Sequence, residues 1–336
     1  MTESFQSGNQ FVLLSLNPKS GRRSSAERAS ILSRNLEARG FTVETHMELD
    51  EVTSRANQLR AQGLLHALVG VGGDGTAAEL VNRTERDVPI TLLPSGTANL
   101  IAKRFRLPFA PEAAAEMIAQ GSSLSLDAGR ANGRLFLAMA SAGLDAEIVR
   151  RVHATREKKY RQNTNGGAHI NYLSYLKPLL QSVRNYEFPS IATEYYASHT
   201  STPEVTLGNW SLVFNLPNYA WGVRLAPECD EADGKLDYCV FSGGGFPATL
   251  SRVALAHLWG AHRLLPSVRL GRGERFVISV HNENAATNAI PYQLDGDPGG
   301  VLPVEITVEP GRFTLIAPSD VITRVHERHG RASKSI

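Results

Sequence analysis

A strand–turn–helix unit recurs through the first third of the chain, and it restricts the fold more than any other feature. Short apolar runs at Phe11–Leu16, Phe41–His46, His66–Val71 and Pro89–Leu93 read as strands. Segments with helical spacing lie between and after them: Ser24–Arg39, Glu51–Gln62, Thr76–Arg83, Thr97–Phe105 and Pro111–Ala119. In the first of these Ile31, Leu32 and Leu36 share a face, and Gly40 and Gly63 are stop signals after the first two. Strands that alternate with helices predict a parallel, doubly wound α/β sheet.

The period changes after about Arg134. Runs become shorter and richer in β-branched and aromatic residues, as at Trp210–Leu216, Leu236–Phe241, Arg275–His281 and Val304–Val308. Closely spaced turn residues between them predict an antiparallel, β-sandwich-like domain. Helices are expected to interrupt it at Tyr172–Arg184 and Pro247–His262. Thr155–His169, polar, basic and carrying Gly166-Gly167, reads as a loop. The boundary falls near Ala128–Gly133, giving domains of residues 1–130 and 131–314, with the segment around 315–330 able to return to the first. The polar, basic residues after Pro318 are expected to fray.

Composition limits the function classes. The chain has 336 residues, enough for two cores, and 42% hydrophobic against 20% charged residues excludes wholesale disorder. A net charge of +2 gives no field that would recruit nucleic acid. Cys229 and Cys239 are too few for a disulfide framework, which fits a reducing cytoplasm. No run approaches the ~18–20 apolar residues of a membrane span. A lipid substrate would therefore require transient contact with a membrane surface.

Three turns carry the chemistry. Gly72-Gly73-Asp74-Gly75-Thr76 follows one strand and opens a helix. Glycines there let backbone approach a phosphate, and helix-start amides donate to the anion. Pro94-Ser95-Gly96-Thr97-Ala98-Asn99 repeats the arrangement one unit later, with Ser95 or Thr97 also readable as a plain helix cap. Asn17-Pro18-Lys19-Ser20-Gly21 follows the first strand, with Arg22 and Arg23 beside it. All three lie at the carboxyl ends of strands, where a doubly wound sheet binds ligands. Late in the chain, Asp295-Gly296-Asp297 reads from the residues alone as a hairpin turn. Glu228, Asp230, Glu231 and Asp233 form an acidic turn, and Arg150 to Arg161 a basic run that reads first as a solvated face. Trp210 and Trp221 read as core.

Taken in order, Asn17-Pro18-x-Ser20-Gly21, Gly72–Thr76 with Glu79 and Asn82, and Pro94-x-Gly96-Thr97-x-Asn99 resemble the signature of the diacylglycerol kinase catalytic family. That family includes bacterial lipid kinases and sphingosine and ceramide kinases. The likeness continues through Leu126-Asp127, Phe136–Gly143, Ala226-Pro227, Asp233–Asp237 and Leu294–Asp297, and so spans nearly the whole chain. It implies an ATP-dependent lipid kinase with ATP and Mg²⁺ in a cleft between an α/β nucleotide-binding domain and a β-rich lipid-binding domain. Carried over residue by residue, it implies nucleotide contacts at Asn17, Ser20, Gly21, Gly72, Gly73, Asp74, Gly75, Thr76, Glu79, Gly96, Thr97 and Asn99. It implies a metal–water network at Asp74 and Asp127, a structural metal at Asp233 and the backbone beside Leu236, and a general base at Asp295. The implied partner is a lipid with a free hydroxyl, met at the membrane surface; a homodimer is compatible and nucleic acid is not expected.

Two positions depart from the pattern. Leu100 stands where the family usually has Asp, which removes one carboxylate of the metal network. Asp297 stands where it has Glu. An enzyme acting on a soluble hydroxyl compound such as NAD, and a binding protein without activity, are the competing readings.

Overall fold

The computed structural model describes residues 10–16, 23–162, 186, 188–198, 201–218, 223–243, 245, 248, 251, 254–255, 261–281 and 289–332. The chain forms two compact units, Met1–Leu126 with Gly311–Ile336, and Asp127–Pro310.

The first unit contains β1 (Phe11–Leu16), α1 (Arg23–Glu37), β2 (Thr42–His46), α2 (Leu49–Ala61), β3 (Leu65–Gly72), α3 (Asp74–Arg83), β4 (Pro89–Pro94), α4 (Leu100–Arg104) and α5 (Pro111–Gln120). Its strands are parallel in the order β2-β1-β3-β4. Parallel strands are buried on both faces, which explains why β1 and β3 read as continuous apolar runs. Leu13, Leu14 and Leu68 are fully buried, and Leu32, Leu36, Leu59 and Leu80 cover the sheet from the helices. Each such leucine contributes about 1.5–3 kcal/mol of burial. Winding reverses between β1 and β3, so the carboxyl end of β3 opens at the switch point where such sheets take ligands.

The second unit begins within β5 (Ser123–Ala131) and adds β6 (Arg134–Phe136), β7 (Met139–Gly143), α6 (Leu144–Gln162), β8 (Ile191–Tyr196), β9 (Glu204–Gly208) and β10 (Trp210–Phe214). It continues with β11 (Leu236–Phe241), β12 (Val268–Gly273), β13 (Arg275–Val280), β14 (Pro291–Leu294), β15 (Asp297–Val301) and the first part of β16 (Val304–Ile316). One antiparallel sheet runs β12-β11-β10-β7-β14-β15; in the other, β16 pairs with β13, β13 with β8 and β8 with β9. Val213, Ala140 and Val240 of the first sheet share a core with Ile191, Phe276, Ile278 and Ile306 of the second, which makes this unit a β-sandwich. The opposite face of β10 sends Trp210, Leu212 and Phe214 into a second cluster with Val223, Leu225 and Phe241. Both faces of β10 are thus buried, and Trp210 is core as its sequence context predicts. Trp221 lies outside the described residues.

Three sequence expectations are corrected. Leu144–Gln162 is a 19-residue helix, so the loop expected from Thr155 does not begin there. Its apolar stripe is thin and its signal is carried by charge, with Asp145 and Glu147 in the first turn where they complement the helix dipole. The tail after Pro318 forms α7 (Ser319–Ala332), whose Val321, Ile322 and Val325 are buried. The helix expected over Thr97–Phe105 shrinks to α4, because Asn99 sits in the left-handed region at φ 48° and blocks an earlier start. Tyr172–Arg184 lies outside the described residues, as does most of Pro247–His262, whose last two residues enter a 3-10 turn, Ala261–Leu264.

Candidate active site

The two glycine turns of the first unit are fused. Ser95 N–H donates to the Gly72 carbonyl at 2.9 Å. The Asp74 carboxylate reaches across to the start of α4, accepting from Leu100 N–H and Ile101 N–H at 2.9 Å each. Asp74 therefore caps α4, a role the sequence assigned to Ser95 or Thr97. Gly73 and Gly96 lie backbone to backbone: a Cβ on Gly73 would come within 2.9 Å of Gly96 Cα, and one on Gly96 within 2.7 Å of Gly73 Cα. A Cβ on Gly72 would collide with the Thr76 hydroxyl. The glycines are thus required first for the turns to touch each other. Gly96 and Thr97 are exposed, and at the start of α3 Thr76 N–H and Ala77 N–H donate back to the Gly73 carbonyl at 3.0 and 3.2 Å. Asn99 donates from Nδ2 to Gly96 O at 2.8 Å, while its buried Oδ1 has no partner among the described residues. Glu79 sits on α3 and pairs with Arg83 one turn on. Asn17, Ser20 and Gly21 lie outside the described residues.

In the second unit Asp295-Gly296 is the two-residue turn between β14 and β15, with φ of 52° and 88°. Both central residues are left-handed, the arrangement hairpins favour. The Asp295 side chain does more than turn the chain. Its carboxylate accepts from Leu137, Ala138 and Met139 N–H at 2.7, 2.8 and 2.9 Å, and its own N–H donates to Met139 O. Asp297 faces His153 Nε2 at 3.1 Å, with Arg134 3.8 Å away.

The implied metal ligands are occupied by protein groups. Both oxygens of Asp74 hold amides. Asp127 is buried and accepts from Gly234 N–H at 2.7 Å. Asp233 faces Arg272 and caps Lys235 N–H, and Leu236 opens β11. Among the described residues, no three His, Cys, Asp or Glu side chains converge on a metal position. These residues do not fit a metal held by the protein alone. Leu100→Asp would place a second carboxylate beside that of Asp74. We expect the melting temperature to fall by about 2–4 °C, equally in EDTA and in millimolar Mg²⁺. A magnesium-dependent recovery would reveal a metal position after all.

Sequence reasoning missed a buried network behind the Asp295 turn. Gln293 Oε1 accepts from Gly296 N–H at 2.7 Å, and its Nε2 donates to Ser141 Oγ at 2.8 Å and faces Asp145 Oδ2 at 3.4 Å. Asp145 also takes Ser141 Oγ–H at 2.6 Å and Trp210 Nε1–H at 2.8 Å. Burial pushes the Asp145 carboxyl up against these donors. The Ser141 and Asp145 oxygens take the Gln293 amide nitrogen, which leaves Oε1 facing the turn. Only the antiparallel register that sets Gln293 opposite Ser141 brings these groups together, and one chain carries no signal for it.

The glycine turns of the α/β unit and the acidic hairpin of the β-sandwich carry the residues that the kinase resemblance singles out. Residues 11–131 match the model of the diacylglycerol kinase catalytic domain, and residues 138–317 that of the YegS C-terminal NAD kinase beta sandwich-like domain. The chain belongs to the diacylglycerol kinase family and is a phosphotransferase. It is 28% identical over 264 residues to a diacylglycerol kinase of Mycobacterium tuberculosis, spanning 75% of this chain and 77% of that one. It is 25% identical over 296 residues to the diacylglycerol kinase of Bacillus subtilis, spanning 86% and 90%. The fold is shared with the crystal structure of a diacylglycerol kinase from Bacillus anthracis at a TM-score of 0.66 and 19% identity, over 93% and 98% of the two chains.

Proposed function

We propose that this protein transfers the γ-phosphoryl group of MgATP to the hydroxyl of a lipid, with diacylglycerol the first candidate because the curated relatives carry that name. The observation that carries the reading is the fused pair of turns, Gly72–Thr76 and Gly96–Asn99, locked by the Asp74 cap. Two glycine-lined backbones at the carboxyl ends of adjacent parallel strands suit an anion cradle, and the Arg28 guanidinium donates to the Pro94 carbonyl beside it at 2.8 Å. Phosphoryl transfer asks mainly for such positioning and for charge neutralisation. The ion arrives with ATP as part of the substrate, and the orphan Asn99 Oδ1 suits a donor such as one of its hydration waters. Asp295 is the proposed proton acceptor for the lipid hydroxyl. Among the described residues no helix is long and apolar enough to cross a membrane, so the lipid would be met at a membrane surface or extracted from it.

The test is radiolabelled ATP supplied with vesicles carrying diacylglycerol, a sphingoid base, ceramide or phosphatidylglycerol, and with NAD in parallel. Label in a lipid product is expected. Label in NADP alone would replace the lipid by a soluble acceptor, and ATP binding without label in any product would leave a binding protein.

Gln293 is expected to matter through the turn that it holds. Gln293→Leu removes the Gly296 N–H acceptor and should lower kcat about tenfold, the equivalent of about 1.4 kcal/mol, with the KM for ATP unchanged. Equal kcat in variant and wild type would make the network purely structural.

A further inference from the structure

The family resemblance puts a structural divalent ion at Asp233 and the backbone beside Leu236; this chain carries an arginine there. Asp233 lies in the turn that leads into β11, and Asp237 is the second residue of that strand. Arg272 stands on β12 directly opposite Asp237 in the antiparallel register. Its Nη1 is 3.2 Å from Asp233 Oδ2 and its Nη2 3.3 Å from Asp237 Oδ2. Nη2 also lies 3.2 Å from the Glu228 carbonyl oxygen as donor. The second oxygen of Asp233 accepts from Lys235 N–H at 3.1 Å.

These partners, two carboxylates and a main-chain carbonyl, are the oxygen ligands a hard divalent cation would seek. A guanidinium meets the same demand with a planar fork of donors and a charge that does not depend on metal supply. Asp237 is only 8% exposed, so its carboxylate needs a counter-charge close by.

We propose that the Arg272 guanidinium takes the place of the structural divalent ion, tying the Glu228 turn, the Asp233 turn and β11 to β12. The second unit then folds without divalent metal, and magnesium dependence of the kinase reports on MgATP alone. The proposal does not rest on the identity of the acceptor lipid or on Asp295.

Thermal unfolding of the full chain, with metal analysis after dialysis, tests it. Wild-type protein is expected to melt at the same temperature in EDTA and in millimolar Mg²⁺ or Ca²⁺, and to retain no stoichiometric ion. Arg272→Gln should melt roughly 3–8 °C lower in EDTA, because it leaves two neighbouring carboxylates without their cation. A wild-type melting temperature that drops in EDTA, or one tightly held divalent ion per chain, would overturn the proposal whether or not the variant folds. So would an Arg272→Gln protein that melts like wild type.

Discussion

Asp295→Asn is expected to lower turnover by roughly two to four orders of magnitude and to weaken the second unit as well. The first effect follows from its proposed role as proton acceptor; the second follows from hydrogen bonds in the structure. The carboxylate holds three successive amides, from Leu137 to Met139. An asparagine replaces one acceptor oxygen by an NH₂ group, which would face an N–H with another donor. One buried amide left unmatched costs about 1–3 kcal/mol, or about 2–12 °C in melting temperature for a unit of this size. The substitution therefore differs from the usual exchange of Asp for Asn in a turn, where either residue serves.

Turnover alone consequently does not separate chemistry from architecture. The carboxylate thus serves the architecture through the amides of Leu137, Ala138 and Met139 whether or not it also serves the chemistry. Asp295→Glu resolves the two roles. It retains a carboxylate but moves it a methylene away from the three amides. If Asp295 accepts the proton, Glu should stay well above Asn in turnover although both lose stability. If the side chain only braces the 137–139 segment, the two variants should lose activity together, in step with their melting temperatures. Turnover by Asp295→Asn above about a third of wild type, measured well below its melting point, would remove the base role altogether.

What the sequence makes legible follows from range. The parallel sheet is announced by local periodicity, since strands buried on both faces appear as unbroken apolar runs such as Val12–Leu14 and Ala67–Val69. The glycine turns are equally local, because Gly72-Gly73 and Gly96 each follow a strand directly. What joins them is not: the bonds from the Asp74 carboxylate to Leu100 and Ile101 span 26 and 27 residues. The same holds for Asp295, whose partners lie more than 150 residues earlier, and for Arg272, whose meaning depends on a cross-strand register. α6 carries little local signal for another reason. Its first turn is buried and its remainder charged, so it lacks the apolar stripe from which helices are read.

Gly73→Val should abolish ATP binding, by a route that the sequence alone does not give. Read from the motif, a side chain there would occupy the space of a phosphate oxygen. In the structure its Cβ would first meet Gly96 Cα at 2.9 Å and Asn99 Oδ1 at 3.4 Å. The nearest obstacle is backbone, so the two turns must part before the side chain fits. That separation would strain the Ser95 to Gly72 hydrogen bond and the Asp74 cap, both of which span the same contact. Overpacking of this kind costs about 1–3 kcal/mol. The variant should therefore melt at a lower temperature and, where still folded, bind ATP at least a hundredfold more weakly, since the amides no longer converge. Gly40→Ala is the matched control: Gly40 has φ 89° and nothing within 4 Å of an added Cβ, so it should lose stability through strain alone and keep its ATP affinity. Calorimetric titration of both variants well below their melting points separates the effects. A folded Gly73→Val protein with wild-type affinity would sink the phosphate cradle, and an equal loss of affinity in Gly40→Ala would assign the effect to general destabilisation.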